Sequence, residues 1–280
     1  MDILITGATG FIGKHVVQYL NKLHPLHQIT LARRQKPHQS LPYHHYVAFD
    51  LNEEQSYANV FRKNYDILIH LAWPAVHQYG SPVHLSQALP ANKMFLRLAM
   101  DHCQSITVAG TCFEYGLVKG KVGENTACKP VTVYGEAKNR LREYLFNEPG
   151  RFQTNLQWLR IFYVYGPGQP ESSLIPQLTT SIKRGDMSFN MSGGQQVLDY
   201  LPVEKLAEYI VEAALKKNKA GIYNCCSGKP VKLEDFVRNY IKEHFPGTDI
   251  RLNLGYYGYN PKEPMEFWGD NSKLKQLLDE

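Results

Sequence analysis

Three features that would place the chain in other protein classes are missing from its sequence. No hydrophobic stretch reaches the roughly 18 residues of a membrane-spanning helix, so no membrane association is expected. The net charge of +5 comes without a dense run of lysine and arginine, so nucleic-acid binding is not expected either. The five cysteines are odd in number, lack a CxxC pair and lie in a long chain, so they do not predict a disulfide framework.

What is present is the composition of an ordinary globular protein. Hydrophobic residues make up 43% and charged residues 20% of the 280 residues, which is enough for a sizeable core. The chain opens directly with a strand-like run at residues 2–5 and shows no signal peptide, so we expect a cytoplasmic protein. The histidines lack cysteine or aspartate partners at ligand spacing, so no metal site is expected. The mild positive charge favours anionic small molecules such as dinucleotides and sugar nucleotides.

Short apolar runs alternate with amphipathic segments along the first 165 residues. This βαβα rhythm predicts a Rossmann-type α/β fold, a doubly wound parallel sheet with helices on both faces. Strands are predicted at residues 3–6, 29–32, 46–49, 66–72, 105–109, 156–162 and 221–225. Helices are predicted at residues 11–23, 91–103, 133–146, 174–184, 203–216 and 233–245.

The rhythm changes after residue 165. A loop rich in glycine and proline occupies residues 166–170, and residues 255–269 form an irregular segment rich in Tyr, Gly and Pro. We therefore expect a smaller, discontinuous C-terminal substrate lobe beside the dinucleotide-binding domain. The expected boundaries are 1–165 and about 195–225 for the Rossmann domain, and 166–194 and 226–280 for the lobe.

A glycine-rich turn follows the first strand-like run. Gly7, Gly10 and Gly13 form a GxxGxxG pattern between that strand and a helix of 3.6-residue period. Gly7 permits the tight turn, Gly10 lets backbone amides approach a pyrophosphate, and Gly13 allows helix and strand to pack closely. This context favours a dinucleotide site over a purely structural turn.

The end of the second strand run indicates which dinucleotide is bound. No acid is present there to bind a ribose 2′-hydroxyl, whereas Arg33 and Arg34 offer two guanidinium groups that suit a 2′-phosphate. NADP(H) is therefore expected rather than NAD; the alternative is that both arginines are solvated loop charges. Asp50 follows the third strand run, where it either accepts from the adenine amino group or caps the helix that begins near Asn52.

A tyrosine and a lysine four residues apart form the candidate catalytic pair. Tyr134 and Lys138 share one face of a predicted helix, where the ammonium is expected to lower the pKa of the phenol and make it a usable acid or base. A second pair of the same spacing, Tyr115 and Lys119, lies in a glycine-rich loop and is rejected. Thr111 follows a predicted strand at the carboxyl edge of the sheet, where its hydroxyl can bond a substrate oxygen.

These motifs, in this order, resemble the extended short-chain dehydrogenases/reductases, which include nucleotide-sugar epimerases, dehydratases and 4-keto reductases. The resemblance covers essentially the whole chain. It is carried by residues 6–13, 50–51, 70–73, 92, 111–116, 134–138, 160–168, 198–203 and 221–224.

The resemblance implies a role for each matching residue. Tyr134 is implied as proton donor and acceptor, Lys138 as the residue that holds the nicotinamide ribose, and Thr111 as the residue that orients the substrate carbonyl. The candidate cofactor-binding residues are Gly7, Thr9, Gly10, Phe11, Ile12, Gly13, Arg33, Arg34, Asp50, Leu51, Leu71, Ala72, Trp73, Asn92, Tyr134, Lys138, Phe162 and Val164. The candidate substrate-binding residues are Trp73, His77, Cys112, Phe113, Tyr163, Leu174, Leu198 and Trp268; for Trp73 and His77 the alternative is packing alone.

Four positions depart from the family pattern. Dehydratases of the family carry Asp-Glu directly after the threonine, but here Cys112 and Phe113 stand there, so dehydration is not supported. Tyr163 replaces the usual asparagine near the nucleotide, and Leu198 replaces the usual arginine.

The exchangeable NADPH expected from the two arginines favours a net reduction. The segments 110–116 and 263–270 are similar to those of bacterial dTDP-4-dehydro-6-deoxyhexose reductases. We therefore expect NADPH-dependent reduction of the 4-keto group of such a sugar, giving a dTDP-fucose-like or dTDP-6-deoxytalose-like donor for surface polysaccharide. The alternatives are a nucleotide-sugar 4-epimerase with bound NAD and a non-catalytic NADPH-binding regulatory protein. By analogy, the helices at 91–103 and 133–146 suggest a homodimer.

Overall fold

A parallel sheet forms the centre of the computed structural model, which describes residues 1–34, 44–147 and 154–279. Within these residues the sheet has seven strands in the order β11-β7-β5-β4-β1-β2-β3, and every neighbouring pair is parallel. The strands are β1 (Asp2–Thr6), β2 (Gln28–Arg33), β3 (His44–Ala48), β4 (Tyr65–His70), β5 (Cys103–Thr111), β7 (Asn155–Ile161) and β11 (Gly221–Cys225). The predicted Rossmann-type α/β fold is confirmed. The strand order reverses direction at β1, which creates a crevice at the carboxyl edge between β1 and β4.

Helices cover both faces of this sheet. The helices are α1 (Phe11–Leu23), α2 (Tyr57–Val60), α3 (Leu89–His102), α4 (Val133–Phe146), α5 (Leu174–Arg184), α6 (Val203–Leu215), α7 (Leu233–His244) and α8 (Ser272–Asp279). One face packs against α1, α6 and α8, and the other against α2, α3 and α4, each through an apolar stripe of 3.6-residue period. None of the helices in the described ranges is long and apolar enough to cross a membrane.

Short strands outside the central sheet stand above its carboxyl edge. Four of them follow the order β12-β10-β14-β6, and β8 pairs with β10, while β9 and β13 form a separate pair. These strands are β6 (Gly120–Val122), β8 (Tyr163–Tyr165), β9 (Ser188–Asn190), β10 (Val197–Pro202), β12 (Pro230–Lys232), β13 (Arg251–Asn253) and β14 (Glu266–Gly269). A small core of its own joins α5 and α7 to β9 and β13.

The bounds of α1, α4, α5 and β11 coincide with those predicted from periodicity. The segment 255–269 differs from its prediction, because its last four residues form β14 rather than irregular structure. Phe267 of this strand is buried, and the strand pairs in parallel with β6 and β10. Partners so distant in the chain leave no local pattern, so the strand could not be recognised from its own residues.

The turn between β1 and α1 has space for glycine alone at two positions. Gly7 has φ +72°, and a Cβ there would lie 2.7 Å from the backbone of Leu71 and of Ala72. A Cβ on Gly13 would lie 2.2 Å from the carbonyl oxygen of Gly7. The first turn of α1 therefore packs directly on the end of β1.

Replacing Gly13 by alanine is expected to lower the free energy of unfolding by about 1–3 kcal/mol, because the added methyl group must displace backbone. Urea unfolding measures the change. Gly80→Ala is the matched control, since no atom lies within 4 Å of its Cβ position. This control is expected to leave stability unchanged or to raise it by about 0.4–1 kcal/mol. Equal losses in both variants would contradict the close approach of helix and strand.

Candidate active site

A cavity of about 930 Å³ opens along the carboxyl edge of the central sheet. Its wall takes residues from the turn after β1 and from the ends of β2, β4, β5 and β7. The wall also includes Tyr134 and Lys138 of α4 and Leu174 of α5. The glycine turn and the catalytic candidates therefore face the same cavity, as expected at the point where the strand order of an α/β sheet reverses.

Most of the residues predicted for the site line this cavity. All three catalytic candidates do, and so do all cofactor candidates except Asn92. Six of the eight substrate candidates also belong to the lining, and the two that do not are Leu198 and Trp268.

The start of α4 places Tyr134 against Thr111. Thr132 caps the helix by accepting a hydrogen bond from the Gly135 N–H at 3.0 Å, and the Tyr134 N–H donates to the Tyr79 carbonyl at 3.0 Å. A Cβ at Gly135 would meet the Phe113 carbonyl oxygen at 2.5 Å, so the helix begins tight against the turn that follows β5. The side chains of Tyr134 and Thr111 line the same cavity in this arrangement, and the Thr111 hydroxyl lowers the pKa of the phenol.

The ammonium of Lys138 is almost completely buried, with 3% of the residue exposed. Its Nζ donates to the Ala109 carbonyl oxygen at 2.7 Å and lies 3.9 Å from the centroid of the Trp73 ring. Burial lowers the pKa of Lys138 to about 7, and the charge of Glu114 opposes that shift. The amine therefore changes its charge close to neutral pH.

The phenol of Tyr134 differs from its prediction. The sequence pattern predicted that the neighbouring ammonium would lower its pKa, but burial raises the pKa of Tyr134 above its usual value. The Thr111 hydroxyl lowers this pKa only in part, and Lys138 Nζ lies 6.0 Å from the ring centroid. Desolvation outweighs the neighbouring charge, so the phenol of the protein alone is protonated at neutral pH.

A buried ion pair between Glu114 and Arg160 supports the turn that carries Thr111. It was not predicted from the sequence. The carboxylate of Glu114 accepts from the Thr111 N–H, from Trp158 Nε1 and from Arg160 Nε, each at 2.9 Å. Glu114 is fully buried and Arg160 is 1% exposed. Thr111 and Glu114 also form a capping box around a short turn, so the T-x-x-E spacing was the signal available in the sequence. The pair fixes the backbone that carries the Thr111 hydroxyl.

Asn92 lies behind the cavity wall rather than on it. Its Oδ1 accepts from His70 Nε2 at 2.7 Å while its Nδ2 donates to the Ala88 carbonyl oxygen at 2.7 Å. His70 Nδ1 in turn accepts from the Thr6 hydroxyl at 2.8 Å. Burial lowers the pKa of His70 to about 4, so the ring stays neutral and links α3 to the ends of β4 and β1.

Leu198 and Trp268 lie outside the cavity lining, each for a different reason. The Leu198 side chain is buried and belongs to the apolar cluster of Cys112, Phe162 and Phe267. Trp268 follows Phe267 on β14 and pairs with Lys121 of β6, so its side chain points to the opposite face of that strand. The structure therefore brings neither residue to the cavity lining.

The glycine turn fits the pyrophosphate of a dinucleotide. Side chains are excluded at Gly7 and Gly13, and no acidic residue stands in the first turn of α1. The backbone can thus approach an anion at a helix N-terminus without repulsion. Asp50 lines the cavity and also accepts from the Asn52 N–H at 2.9 Å, so its side chain caps the turn that follows.

Comparison with known proteins agrees with this geometry. The sequence model of the NAD dependent epimerase/dehydratase family matches residues 3–226. The dTDP-6-deoxy-L-talose 4-dehydrogenase (NAD(+)) of Aggregatibacter actinomycetemcomitans is 32% identical over 274 residues, which cover 96% of this chain and 99% of the relative. The GDP-6-deoxy-D-talose 4-dehydrogenase of the same organism is 23% identical over 99% of this chain and 91% of its own length. Among solved structures, MoeE5 in complex with UDP-glucuronic acid and NAD has a TM-score of 0.82 at 23% identity, over 100% of this chain and 93% of that one.

The expectation of NADP(H) is wrong. The family description names NAD, the relative at 32% identity is an NAD(+) enzyme, and the matched structure holds NAD. Arg34 is exposed and the Arg33 guanidinium lies 6.0 Å from the centroid of the Tyr46 ring. Arg34 fits the alternative that the arginines are solvated loop charges. For Arg33, a guanidinium can donate to a ribose hydroxyl as well as to a phosphate. The argument for net reduction that rested on NADPH therefore no longer holds.

Replacing Glu114 by glutamine is expected to lower the free energy of unfolding by about 3–5 kcal/mol, because the Arg160 charge stays buried without its partner. Urea unfolding measures this loss. Glu136→Gln serves as control, since its pair with Arg140 on the same helix is exposed and is worth about 0.5 kcal/mol or less. A loss at Glu114 as small as that at Glu136 would show that the buried pair does not hold the turn.

Proposed function

The chain belongs to the NAD-dependent epimerase/dehydratase family, and on that premise we propose that it interconverts the 4-hydroxyl and 4-keto forms of a nucleotide-activated 6-deoxyhexose with NAD(H). One observation carries the proposal. The side chains of Tyr134 and Thr111 and the buried amine of Lys138 line the same cavity as the glycine turn. An acid–base group, a second hydroxyl and a dinucleotide cradle are the parts that this oxidoreduction requires.

The residues present suit NAD(H) at both ends of the cavity. The glycine turn and the N-terminus of α1 would hold the pyrophosphate, and the Lys138 amine would bond the hydroxyls of the nicotinamide ribose. When bound, the nicotinamide supplies the site that gives or takes a hydride at the sugar carbon. Phe162 and Val164 line the cavity at the end of β7 and close it with apolar surface.

The phenol of Tyr134 would move the proton that accompanies the hydride. Because burial keeps it protonated at neutral pH, it can donate to the oxygen that forms at C4 during reduction. The Thr111 hydroxyl lines the cavity together with this phenol and would hold the sugar oxygen beside it. In oxidation the proton returns from the sugar hydroxyl to Tyr134, and the charge of Lys138 stabilises the phenolate that receives it.

An aromatic wall supports a 6-deoxy sugar as the substrate. Tyr79 and Phe113 have ring centroids 4.8 Å apart, Phe113 and Tyr163 6.2 Å, and Tyr163 and Tyr200 6.1 Å. All four side chains line the cavity, and Tyr79 lies 5.6 Å from the Tyr134 ring. The ring faces of this wall would favour a methyl group, since a hydroxymethyl or carboxylate group packed on a ring face would lose hydration. The aromatic ring at Phe113 stands where a dehydratase needs an acid.

Four further expectations stay proposals. α3 and α4 pack side by side on one face of the sheet, and we propose that they also pair across a homodimer. We propose the separate substrate lobe, the cytoplasmic location and a role in surface polysaccharide on the sequence evidence given above. A non-catalytic regulatory protein is disfavoured because Tyr134 and Lys138 are both retained and both face the cavity.

NADH is expected to bind more tightly than NADPH in a titration followed by calorimetry. Arg34→Ala is expected to change the affinity for NADH by no more than about twofold, because an exposed charge contributes little. Tighter binding of NADPH, lost in Arg34→Ala, would contradict the assignment of the cofactor.

Turnover is expected when NAD+ is supplied with a dTDP-6-deoxyhexose, or NADH with its 4-keto form, and is measured as NADH formed or consumed. Tyr134→Phe is expected to reduce this rate about 10²–10⁴-fold and to leave NADH binding unchanged, because only the proton-transfer group is lost. Tyr144→Phe, on the same helix and outside the cavity lining, is the matched control and is expected to keep the rate.

The same assay distinguishes the proposed oxidoreduction from the main alternative, a 4-epimerase. A 4-epimerase would interconvert nucleotide hexoses that differ at C4 with no net change in NADH. Epimerisation of this kind, without net oxidoreduction of a 6-deoxyhexose, would replace the proposed function.

A further inference from the structure

Two side chains in the loop between β4 and α3 contact the catalytic groups from a side that the mechanism above does not use. We propose that Trp73, held in place by His84, is a positioning residue that seats the Lys138 ammonium against the face of its ring. The inference rests on the role given to Lys138 in the proposed function. It adds two residues that the family pattern quoted above does not assign to this task.

Lys138 needs such a seat because its ammonium is buried with few partners. Its Nζ donates one hydrogen bond, to the Ala109 carbonyl oxygen, and its next contact is the Trp73 ring face at 3.9 Å from the centroid. Glu114 is the carboxylate whose charge acts on this amine, but it already accepts from Thr111, Trp158 and Arg160. A desolvated cation over an indole face is worth more than an exposed one, so the ring is a substantial partner.

The groups around the amine come from four elements. Glu114 lies in the turn after β5, His70 at the end of β4, His84 before α3, and Tyr134 on the same helix as the lysine. Burial lowers the pKa of His70 and of His84, and burial raises that of Tyr134, so all three are uncharged near neutral pH. None of these three groups carries a charge that could attract the ammonium near neutral pH. The face of the Trp73 ring therefore supplies an electrostatic attraction that they lack.

His84 fixes the orientation of the indole ring. Trp73 Nε1 donates to His84 Nδ1 at 3.1 Å, and His84 Nε2 lies 2.9 Å from the Gln78 carbonyl oxygen, to which it must donate. The imidazole is thus held as one neutral tautomer, with its lone pair toward the indole. His84 is fully buried and begins a single π-helical turn, His84–Ala88, a feature that often marks functional sites.

The same loop also contacts the phenol. The centroid of the His84 ring lies 5.2 Å from that of Tyr134, and the Trp73 ring meets the Tyr134 ring edge-on at 6.1 Å. The Tyr134 N–H donates to the carbonyl of Tyr79 in this loop. The Trp73 indole therefore contacts both Lys138 and Tyr134, and the His84 imidazole contacts Tyr134, so the loop packs against both catalytic candidates.

The pKa of the Lys138 amine in the free protein tests the proposal directly. With lysine labelled with ¹³C at its ε-carbon, the Lys138 signal is the one that Lys138→Met removes, and its shift is followed through a pH titration. The wild-type midpoint is expected near 7. Trp73→Leu is expected to lower it by about one unit, because loss of the ring face removes a desolvated cation–π contact. Trp73→Phe keeps a ring face and is expected to remain closer to the wild type than Trp73→Leu.

Trp268→Phe is the matched control, since that indole lies outside the cavity lining and is expected to leave the midpoint unchanged. A wild-type midpoint in Trp73→Leu would overturn the proposal, and so would an equal shift in Trp268→Phe. Should Trp73→Leu fail to fold, as judged by circular dichroism, His84→Phe carries the test.

His84→Phe keeps a ring against Tyr134 but offers the indole N–H no acceptor. In protein labelled with ¹⁵N-tryptophan, the Trp73 indole signal, identified by its loss in Trp73→Phe, is expected to move upfield in His84→Phe. The Lys138 midpoint is expected to fall by less than in Trp73→Leu. An unmoved indole signal and midpoint would overturn the part given to His84. Neither measurement uses sugar or dinucleotide, so failure here is distinguishable from failure of the proposed activity.

Discussion

A single ammonium buried with few partners is the constraint on which the rest of the site depends. Lys138 meets one carbonyl oxygen and one indole face, and burial alone would favour its neutral form. These contacts join α4, the end of β5 and the loop after β4 at one point of the sheet edge. Because the amine changes charge near neutral pH, any hydroxyl or phenolate placed beside it acts directly on its protonation.

The ion pair of Glu114 and Arg160 differs from this amine, because both of its members have many hydrogen-bond partners. Glu114 accepts hydrogen bonds from Thr111, Trp158 and Arg160, and the Arg160 guanidinium donates four in all, so the pair has a fixed geometry. Removing either partner would leave a buried charge uncompensated, which makes this layer rigid. The rigid layer carries the backbone of Thr111, and the group that can change its charge lies above it. A site that transfers protons needs a group that can change its charge and neighbours whose positions are fixed, since proton transfer requires donor and acceptor to be held in the right geometry.

Local patterns predicted the parts of the molecule that depend on neighbouring residues. The bounds of α1 and α4 followed from helical periodicity, and the family resemblance carried by the glycine turn and the Tyr134–Lys138 pair is confirmed. Features set by the tertiary structure were beyond reach. The direction of the pKa shift of Tyr134 depends on desolvation, which spacing in sequence does not reveal. Two arginines in sequence could not be told apart as phosphate ligands or solvated charges, and β14 needed partners from distant segments.

The proposed function specifies which groups would move the proton but not the direction of the net reaction. In the proposed reaction the protonated phenol would donate to the forming alkoxide, and the phenolate would take the proton back when a hydroxyl is oxidised, since both directions share one transition state. The amine beside it, with a pKa of about 7, would stabilise the phenolate without holding it permanently. In the proposed function the protein would select the sugar through its aromatic wall, whose ring faces suit a methyl group better than a hydrated one. In the proposed function, reduction and oxidation would therefore be two directions of one reaction at this site, and the supply of substrate and cofactor would decide between them.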